Sequence, residues 1–311
     1  MLARRFKRVP RVVRFVHEDL GLSWSVSADS GGELCSLAVR RDGRFIELLH
    51  RANEFGSPGA AWRGRAPWLF PAVGRSRLPG RRDAYALNGK VYSMPIHGLV
   101  MNKPWKMLAA GPQGVVCRTF SDRRTLSRYP FDFELTVSYR PMPDGLLASA
   151  EVAAAPGNKS PMPFCIGNHI TLALPLAGGV DAGACIVKTP AAQILELSPD
   201  GFLTGHSRPA PYSLGVALRD DAQLADCVLG GFPEGQAWVE LRDPSGASVR
   251  VSQRADAPSD RLRFVLYSDA GRAFLCPEPW IGEPDSLNTE RGLMCLDPGE
   301  RFNFEMRLTL A

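Results

Sequence analysis

The chain has 311 residues, of which 45% are apolar and 22% charged, the balance of an ordinary soluble globular protein. It contains no run of about eighteen apolar residues, the length that a membrane-spanning helix needs. The net charge of +5 is modest, and acidic residues separate the basic ones along most of the sequence. We therefore expect neither a nucleic-acid partner nor membrane association.

A basic N-terminal leader, residues 1–15, is the exception to this even charge distribution, because six cations there precede the first acid. Such a stretch could bind a nucleic acid or a membrane surface, but no aromatic platform or binding motif accompanies it. It lacks the apolar region of a secretory signal, and the scarcity of Ser disfavours a transit peptide. We interpret it as a solvated lead into the first strand.

The seven cysteines are spread singly, with no Cys-x-x-Cys pair and an odd total. This pattern is typical of reduced, mostly buried thiols. Because disulfides are rare in reducing compartments, the cysteines favour a cytoplasmic protein.

Short segments of alternating polarity, separated by Gly, Pro, Asp or Asn, predict strands along the whole chain. The predicted strands are Val12–Val16, Ser23–Ala28, Leu34–Arg40, Phe45–Leu49, Phe133–Arg140, Leu146–Ala154, Ala237–Arg242, Ala247–Gln253, Arg263–Ser268, Arg272–Cys276 and Phe302–Leu310. The pairs Asp42-Gly43 and Asn88-Gly89 predict tight hairpins, since both central residues of a type I′ turn need a positive φ. The stretch from Ala52 to Arg82 predicts irregular loops.

No sustained apolar pattern of helical period is present, so we expect few and short helices. Many short strands with regular turns predict an all-β, antiparallel sandwich or barrel. No repeat, low-complexity segment or linker divides the chain, and residues 1–311 are therefore expected to form one domain.

One carboxylate is held in an unusual way: Glu278 lies between Pro277 and Pro279, with Trp280 beside it. Proline fixes its own φ and biases the preceding residue toward extended backbone, so Glu278 is expected to be stiffly placed. An aromatic face and a positioned carboxylate suit a sugar ligand. The alternative is a structural glutamate at the end of a strand.

Two of the five histidines lie within two residues of a glycine, His97 directly before Gly98 and His169 two residues after Gly167. No pair of histidines or cysteines has the short spacing of a zinc site, so no metal site is expected. There is no Gly-x-Ser-x-Gly elbow and no phosphate-binding glycine loop. What remains fits proton transfer on a polar ligand.

Five segments in order give the chain a family resemblance. They are Phe70–Arg75 (Phe-Pro-Ala-Val-Gly-Arg), Tyr85–Gly98 (with Asn-Gly-Lys and Pro-x-His-Gly), Asn168-His169, Pro277–Trp280 (Pro-Glu-Pro-Trp) and Leu296–Glu300 (Leu-Asp-Pro-Gly-Glu). Together they resemble the aldose 1-epimerase (galactose mutarotase-like) family, in particular its less characterised bacterial branch, from about residue 20 to the C-terminus.

The resemblance implies a large antiparallel β-sandwich, the galactose mutarotase-like supersandwich, whose concave face holds a sugar. It implies Glu278 as general base, His169 as general acid and His97 as a helper at the ring oxygen. Arg75 and Asp226 match substrate-binding positions of the family. Trp280 is expected either to stack on the sugar or to lie in the core.

The chemistry of anomer exchange suits these residue types. The proton of O1 must be removed and the ring oxygen protonated, so that the ring opens and closes from the other face. A carboxylate and an imidazole divide into base and acid near neutral pH, and we expect them to face each other across the sugar ring. No cofactor is required.

Two departures from the family pattern, Ile170 after His169 and Leu99 after Gly98, are expected to alter the pocket wall. Arginines 75, 77, 81 and 82 leave a hexose-6-phosphate 1-epimerase as an alternative, although they also fit a solvated loop. A non-catalytic carbohydrate-binding protein on the same fold is a further alternative. A free aldose or its phosphate is the expected partner, bound by a monomer or a homodimer.

Overall fold

The computed structural model describes residues 11–51, 64–101, 103–178, 181–268 and 273–311. Most of the basic leader, part of the predicted loop after Ala52, and the start of the strand predicted at Arg272 lie outside the described residues. No helix in the described part of the chain is long and apolar enough to cross a membrane.

The first half of the chain forms short strands joined by tight turns. They are β1 (Val12–His17), β2 (Leu22–Ser27), β3 (Glu33–Arg41), β4 (Arg44–Glu47), β5 (Trp68–Leu69), β6 (Arg77–Leu78), β7 (Arg81–Arg82), β8 (Ala84–Leu87), β9 (Lys90–Ser93), β10 (Lys106–Gly111), β11 (Gly114–Phe120), β12 (Phe133–Met142) and β13 (Gly145–Ala154).

The second half continues in the same manner. Its strands are β14 (Met162–Phe164), β15 (Ile166–Asn168), β16 (Leu172–Ala173), β17 (Ile186–Lys188), β18 (Gln193–Leu197), β19 (Leu203–Pro209), β20 (Val216–Ala217), β21 (Asp226–Gly230), β22 (Trp238–Arg242), β23 (Ser248–Ala255), β24 (Leu262–Tyr267), β25 (Phe274–Ile281), β26 (Met294–Leu296) and β27 (Arg301–Leu310). The described α-helices, α1 (Arg123–Leu126) and α2 (Ser286–Thr289), have four residues each.

Two large antiparallel sheets dominate the structure. One has nine strands in the order β10-β11-β12-β13-β27-β23-β22-β17-β20, and the other has the order β19-β18-β21-β24-β25-β15-β5, with β16 also on β25. A four-stranded sheet runs β1-β2-β3-β4. The predicted all-β, antiparallel fold with few short helices is confirmed.

The main core lies where these sheets pack together. Trp68 of β5 packs edge-on against Phe304 of β27, with ring centroids 6.1 Å apart, and its indole N–H donates to the hydroxyl of Tyr139 at 2.7 Å. The Tyr139 hydroxyl donates in turn to the backbone oxygen of Gly32, next to β3, at 2.8 Å. Aromatic side chains therefore tie three sheets into one core, which leaves the other face of the eight-stranded sheet for a second, smaller cluster.

Most predicted strands coincide with observed ones, and both predicted Asn-Gly and Asp-Gly hairpins form, between β8 and β9 and between β3 and β4. The main correction concerns the strand predicted to end at Cys276. Strand β25 continues to Ile281 and so contains Glu278. The single domain predicted for residues 1–311 stays a prediction.

Candidate active site

Glu278 lies inside a central strand although two prolines flank it. Strand β25 pairs with β24 from Cys276 to Ile281, with Glu278 opposite Val265. Ladder bonds of an antiparallel pair alternate, so Glu278 can bond to β24 while the nitrogens of Pro277 and Pro279 point to the other side. Proline is tolerated there because no donor is required.

On the side of β25 that faces away from β24, the strand pairing is interrupted. Strand β15 pairs with Trp280 and Ile281, and β16 pairs with Phe274 and Leu275. Within the described chain, therefore, no strand opposes residues 276–279 at this edge. The connection between β15 and β16, residues 169–171, fills the gap.

Backbone hydrogen bonds hold His169 in this gap. Its own N–H donates to the carbonyl of Pro67 at 2.9 Å, and the N–H of Thr171 donates to that of Arg65 at 2.8 Å. The buried side-chain amide of Asn168 donates to the carbonyl of Ala66 at 3.0 Å. The Asn-His motif thus fixes the backbone of His169 against the segment that leads into β5.

Glu278 and His169 are in direct contact. The distance from Glu278 Oε1 to His169 Nε2 is 3.3 Å, and both residues are nearly inaccessible to solvent. The indole N–H of Trp280 donates to the other carboxylate oxygen, Oε2, at 3.1 Å. The carboxylate and the imidazole are therefore in contact, whereas their placement across a sugar ring stays a prediction.

Trp280 has a positional role that the sequence left open. It is buried, lies two residues beyond Glu278 on the same face of β25, and covers Gly167 of β15. A Cβ on Gly167 would lie 2.7 Å from Cδ1 of the indole, so only glycine allows this packing. Trp280 thus belongs both to the smaller core cluster and to the pocket wall, where it orients the carboxylate.

His97 approaches the pair from a tight turn. Its φ is 63°, a left-handed conformation that costs free energy and that clusters at functional sites. Gly98 follows with a φ of 83°, and a Cβ there would lie 2.1 Å from the carbonyl oxygen of Phe70. The His97 ring lies edge-on to His169 and to Trp280, with centroids 5.2 and 5.7 Å apart.

The tautomer of His97 follows from its backbone partner. The N–H of Gly74 donates to His97 Nδ1 at 3.2 Å, so in the neutral ring Nδ1 is the acceptor and Nε2 carries the hydrogen. Burial, the neighbouring His169 and the Arg75 guanidinium all lower the pKa of His97 well below its usual value. His97 is therefore a neutral hydrogen-bond donor through Nε2.

A pocket of about 250 Å³ opens over these groups on the smaller-cluster face of the eight-stranded sheet. All six residues singled out in the sequence line it: Arg75, His97, His169, Asp226, Glu278 and Trp280. Their placement in one pocket is a finding, whereas the role of each stays a prediction. Sequence reasoning missed Asp200 and Tyr267, which also line the pocket, and the only signal for Asp200 was the turn-forming Asp-Gly pair with Gly201.

Burial shifts the pKa values of the central pair in opposite directions. It raises the pKa of Glu278 well above its usual value, an effect that the Trp280 N–H opposes and Asp226 reinforces. Burial lowers the pKa of His169 to about 4. Removal from water disfavours the charged form of each group, so burial favours a neutral carboxylic acid beside a neutral imidazole.

Charged groups of both signs surround the pocket mouth. Arg75 Nη1 lies 3.1 Å from Asp83 Oδ1, and Arg77 Nη1 lies 3.2 Å from Asp200 Oδ2. Asp226 begins strand β21 and is exposed as a residue, but the surrounding protein partly desolvates its carboxyl and so raises its pKa. Of the four arginines that suggested a phosphate site, Arg75 and Arg77 are thus engaged with carboxylates.

The two residues that depart from the family pattern lie away from the pocket, and their effect on its wall stays a prediction. Ile170 is fully buried in the main core, and Leu99 packs against that core. Neither Ile170 nor Leu99 is among the described residues that line the pocket. Ile96 and Pro284 form the wall near His97 instead.

Three buried side chains beside the pocket could hold a metal ion. Donor atoms of His169, Cys276 and Glu278 all lie within 4.8 Å of one another. Position 169 is more than a hundred residues from the other two, so a search for short ligand spacing does not find them. The expectation that the protein needs no metal or cofactor stays a prediction.

Solved structures share this architecture over almost the whole chain. A protein from Synechocystis sp. is 22% identical, with 99% of both chains covered and a TM-score of 0.78. A galactose mutarotase-like protein from Lactobacillus casei is 21% identical over 97% of this chain and 100% of its own, with a TM-score of 0.78. An aldose epimerase homologue from C. elegans is 16% identical over 97% and 99%, with a TM-score of 0.77.

These likenesses establish the class, a galactose mutarotase-like β-sandwich protein. The model of the aldose 1-epimerase family matches residues 20–309, and the chain therefore belongs to that family. A comparison with curated protein sequences gave no match.

Proposed function

We propose that the protein interconverts the α and β anomers of a free aldose, without a cofactor, through the pair formed by Glu278 and His169. The observation that carries this proposal is the 3.3 Å contact between Glu278 Oε1 and His169 Nε2 at the buried end of the pocket. Membership of the aldose 1-epimerase family supports an epimerase of this kind.

The reaction needs one acid and one base that act on two neighbouring oxygens. The Glu278 carboxylate takes the O1 proton while the His169 imidazolium protonates the ring oxygen. The bond from C1 to the ring oxygen then breaks, and C1 becomes an aldehyde. After rotation about the C1–C2 bond the same two transfers run in reverse, so no proton is gained or lost.

Adjacent groups suit this geometry because both oxygens are bonded to C1. An acid and a base that already touch can reach two atoms on the same carbon without a large rearrangement. The neutral His97 carries its hydrogen on Nε2 and donates it in a hydrogen bond to the ring oxygen. This hydrogen bond stabilises the negative charge that develops on the ring oxygen as its bond to C1 breaks. Arg75 and Asp226 would hold hydroxyl groups at the pocket mouth.

The pair works with a single shared proton. In the sugar-free site burial favours the proton on Glu278. Sugar hydroxyls that donate to the carboxylate, together with the Trp280 N–H, favour the form with the proton on His169. The two forms differ only by transfer of one proton across a direct contact.

The charges around the pocket favour a neutral sugar over its phosphate. Asp200 and Asp226 place negative charge on the lining, and Arg75 and Arg77 are paired with Asp83 and Asp200. A phosphate dianion at the pocket mouth would compete with these carboxylates for Arg75 and Arg77. The hexose 6-phosphate alternative is therefore the less favoured substrate.

The test is anomer exchange followed by NMR, with freshly dissolved α-glucose, α-galactose and their 6-phosphates as a panel. We expect accelerated exchange for a free aldose and at least tenfold less for its phosphate. Glu278→Gln should lose most of the acceleration, because loss of a general base typically costs about two to four orders of magnitude.

A matched control is Glu240→Gln, since Glu240 is also buried in a sheet but pairs with Arg250 at 2.6 Å, in β22 and away from the pocket. It should keep the wild-type rate. Equal rates in wild type and Glu278→Gln would reject the proposal. Saturable sugar binding without any rate enhancement would indicate the non-catalytic carbohydrate-binding alternative.

A further inference from the structure

We propose that His169, Cys276 and Glu278 form a three-ligand site for a thiophilic divalent cation such as Zn²⁺, whose binding blocks the acid–base pair. The binding site itself stands on geometry alone. The inhibition rests on the proposed function, because it assumes that Glu278 and His169 transfer protons.

The three donors converge because two of them share a strand face. Cys276 and Glu278 are two residues apart on β25, so both side chains project to the pocket side. His169 enters from the gap in strand pairing opposite them. Their donor atoms, an imidazole nitrogen, a sulfur and a carboxylate oxygen, lie within 4.8 Å of one another.

These distances are close to those of a zinc centre. Bonds of about 2.0–2.3 Å in a tetrahedron place neighbouring ligand atoms about 3.3–3.8 Å apart. The separation of 3.3 Å between His169 Nε2 and Glu278 Oε1 already meets this value. A small rotation of the Cys276 side chain would bring its sulfur to a similar distance from the other two donor atoms.

Neighbouring groups would orient the ligands. The Trp280 N–H occupies Glu278 Oε2 and leaves Oε1 directed at His169. The Cys276 thiol donates to Thr171 Oγ1 at 3.4 Å, and once the thiol ionises the same hydroxyl can donate to the thiolate. Partners of this kind around the ligands strengthen metal sites.

The donor set selects the class of metal. A thiolate and an imidazole suit Zn²⁺ or Co²⁺, whereas Mg²⁺ and Ca²⁺ prefer oxygen ligands alone. Three protein ligands leave a fourth tetrahedral position that water or a sugar hydroxyl could take. The negative charge of Asp226 on the pocket lining attracts a dication and the positive charge of Arg75 repels it, whereas His97 is neutral.

Metal binding requires two protons to leave. One is the proton shared by Glu278 and His169, and the other is the Cys276 thiol proton. Both then go to solvent, so the apparent affinity for Zn²⁺ should increase as the pH rises. A metal-bound carboxylate and imidazole can no longer exchange protons with a sugar, and anomer exchange should stop.

The direct test is binding to the metal-free full-length chain, measured for Zn²⁺ by competition with a chromophoric chelator and for Co²⁺ by its thiolate charge-transfer absorption. We expect one ion per chain in the wild type. Cys276→Ser should bind at least tenfold more weakly and lose the charge-transfer band. Cys295→Ser, which removes the exposed thiol, should match the wild type.

A second arm measures anomer exchange with and without Zn²⁺. We expect inhibition of the wild type and of Cys295→Ser, with at least tenfold less sensitivity in Cys276→Ser. If Cys276→Ser folds poorly by circular dichroism, Cys276→Ala takes its place. Equal Zn²⁺ affinity in wild type and both Cys276 variants, or a charge-transfer band lost only in Cys295→Ser, overturns the proposal.

The two proposals fail in different ways. Zinc binding at Cys276 in a protein without anomer exchange would reject the epimerase function and retain the metal site. Anomer exchange that depends on Glu278, in a chain that binds no Zn²⁺ at Cys276, would retain the function and reject the metal site.

Discussion

The two faces of strand β25 differ in chemistry although both are buried. On one face Leu275 and Ile281, with Phe264 and Leu266 of the paired strand β24, belong to the main apolar core. On the other face Cys276, Glu278 and Trp280 alternate with them and meet His169. Burial alone therefore does not distinguish a structural position from a functional one in this strand.

The difference lies in what burial does to each side chain. Removal of an apolar side chain from water stabilises the fold, at about 25 cal/mol per Å² of apolar surface. Removal of an ionisable group costs free energy unless partners satisfy it, and it shifts the pKa toward the neutral form. The pocket face therefore stabilises the fold less than the core face does, but it holds two groups that can exchange a proton.

Replacement of His169, the proposed general acid on the pocket face, should have the largest effect on activity. We expect His169→Gln to lower the rate of anomer exchange by about two to four orders of magnitude, as is typical for loss of a general acid. The unfolding midpoint should change little. His206→Gln, at an exposed histidine of β19, is the control, and a comparable loss of rate there would show that the effect is not specific to the pocket.

Replacement of a leucine on the core face should lower the stability of the fold and leave the activity in place. Leu266→Ala is expected to lower the free energy of unfolding by about 2–5 kcal/mol, because the cavity left in the core adds to the lost burial. Activity per folded molecule should persist. Urea denaturation measures the change, with Leu108→Ala in β10, where the side chain is 40% exposed, as the matched leucine control.

Removal of the indole N–H should produce a smaller, intermediate effect. Trp280→Phe keeps most of the apolar volume but loses the hydrogen bond to Glu278 Oε2. A hydrogen bond to a charged group is worth about 1.5–3 kcal/mol, so a tenfold or greater loss in kcat/KM is expected.

The same change should also raise the pKa of Glu278 further, because the N–H favours the carboxylate. The half-exposed Trp238 stacks with Arg250 on the nine-stranded sheet, and Trp238→Phe should leave the rate unchanged. An unaltered rate in Trp280→Phe would contradict an orienting role for the indole.

A change of pH across the neutral range should have the smallest effect on the rate of anomer exchange. The proposed mechanism needs one proton on the pair of Glu278 and His169, and burial disfavours both the doubly protonated cation and the deprotonated anion. The rate should therefore fall only near pH 4 on the acid side, where His169 gains its proton, and far above the usual Glu range on the alkaline side. A step near pH 6.5 in kcat/KM would show that the imidazole is not desolvated.

Local sequence patterns predicted much of the fold. Alternating polarity located most strands, and the Asp42-Gly43 and Asn88-Gly89 pairs located two hairpins, because these signals act over neighbouring residues. The course of β25 through Glu278 was missed, since prolines argue against a central strand. They are tolerated here because the strand pairing on one side is interrupted, which no local pattern reveals.

The sequence by itself determined the all-β architecture and the residue types of the candidate site. It placed Glu278 in a stiff segment and set His97 and His169 beside glycines. Only the tertiary structure decided that Glu278 and His169 touch, that Cys276 joins them and that Asp200 reaches the pocket. Each of these contacts joins residues far apart in the chain, so it depends on strand order and on a gap in the sheet rather than on any neighbouring residue.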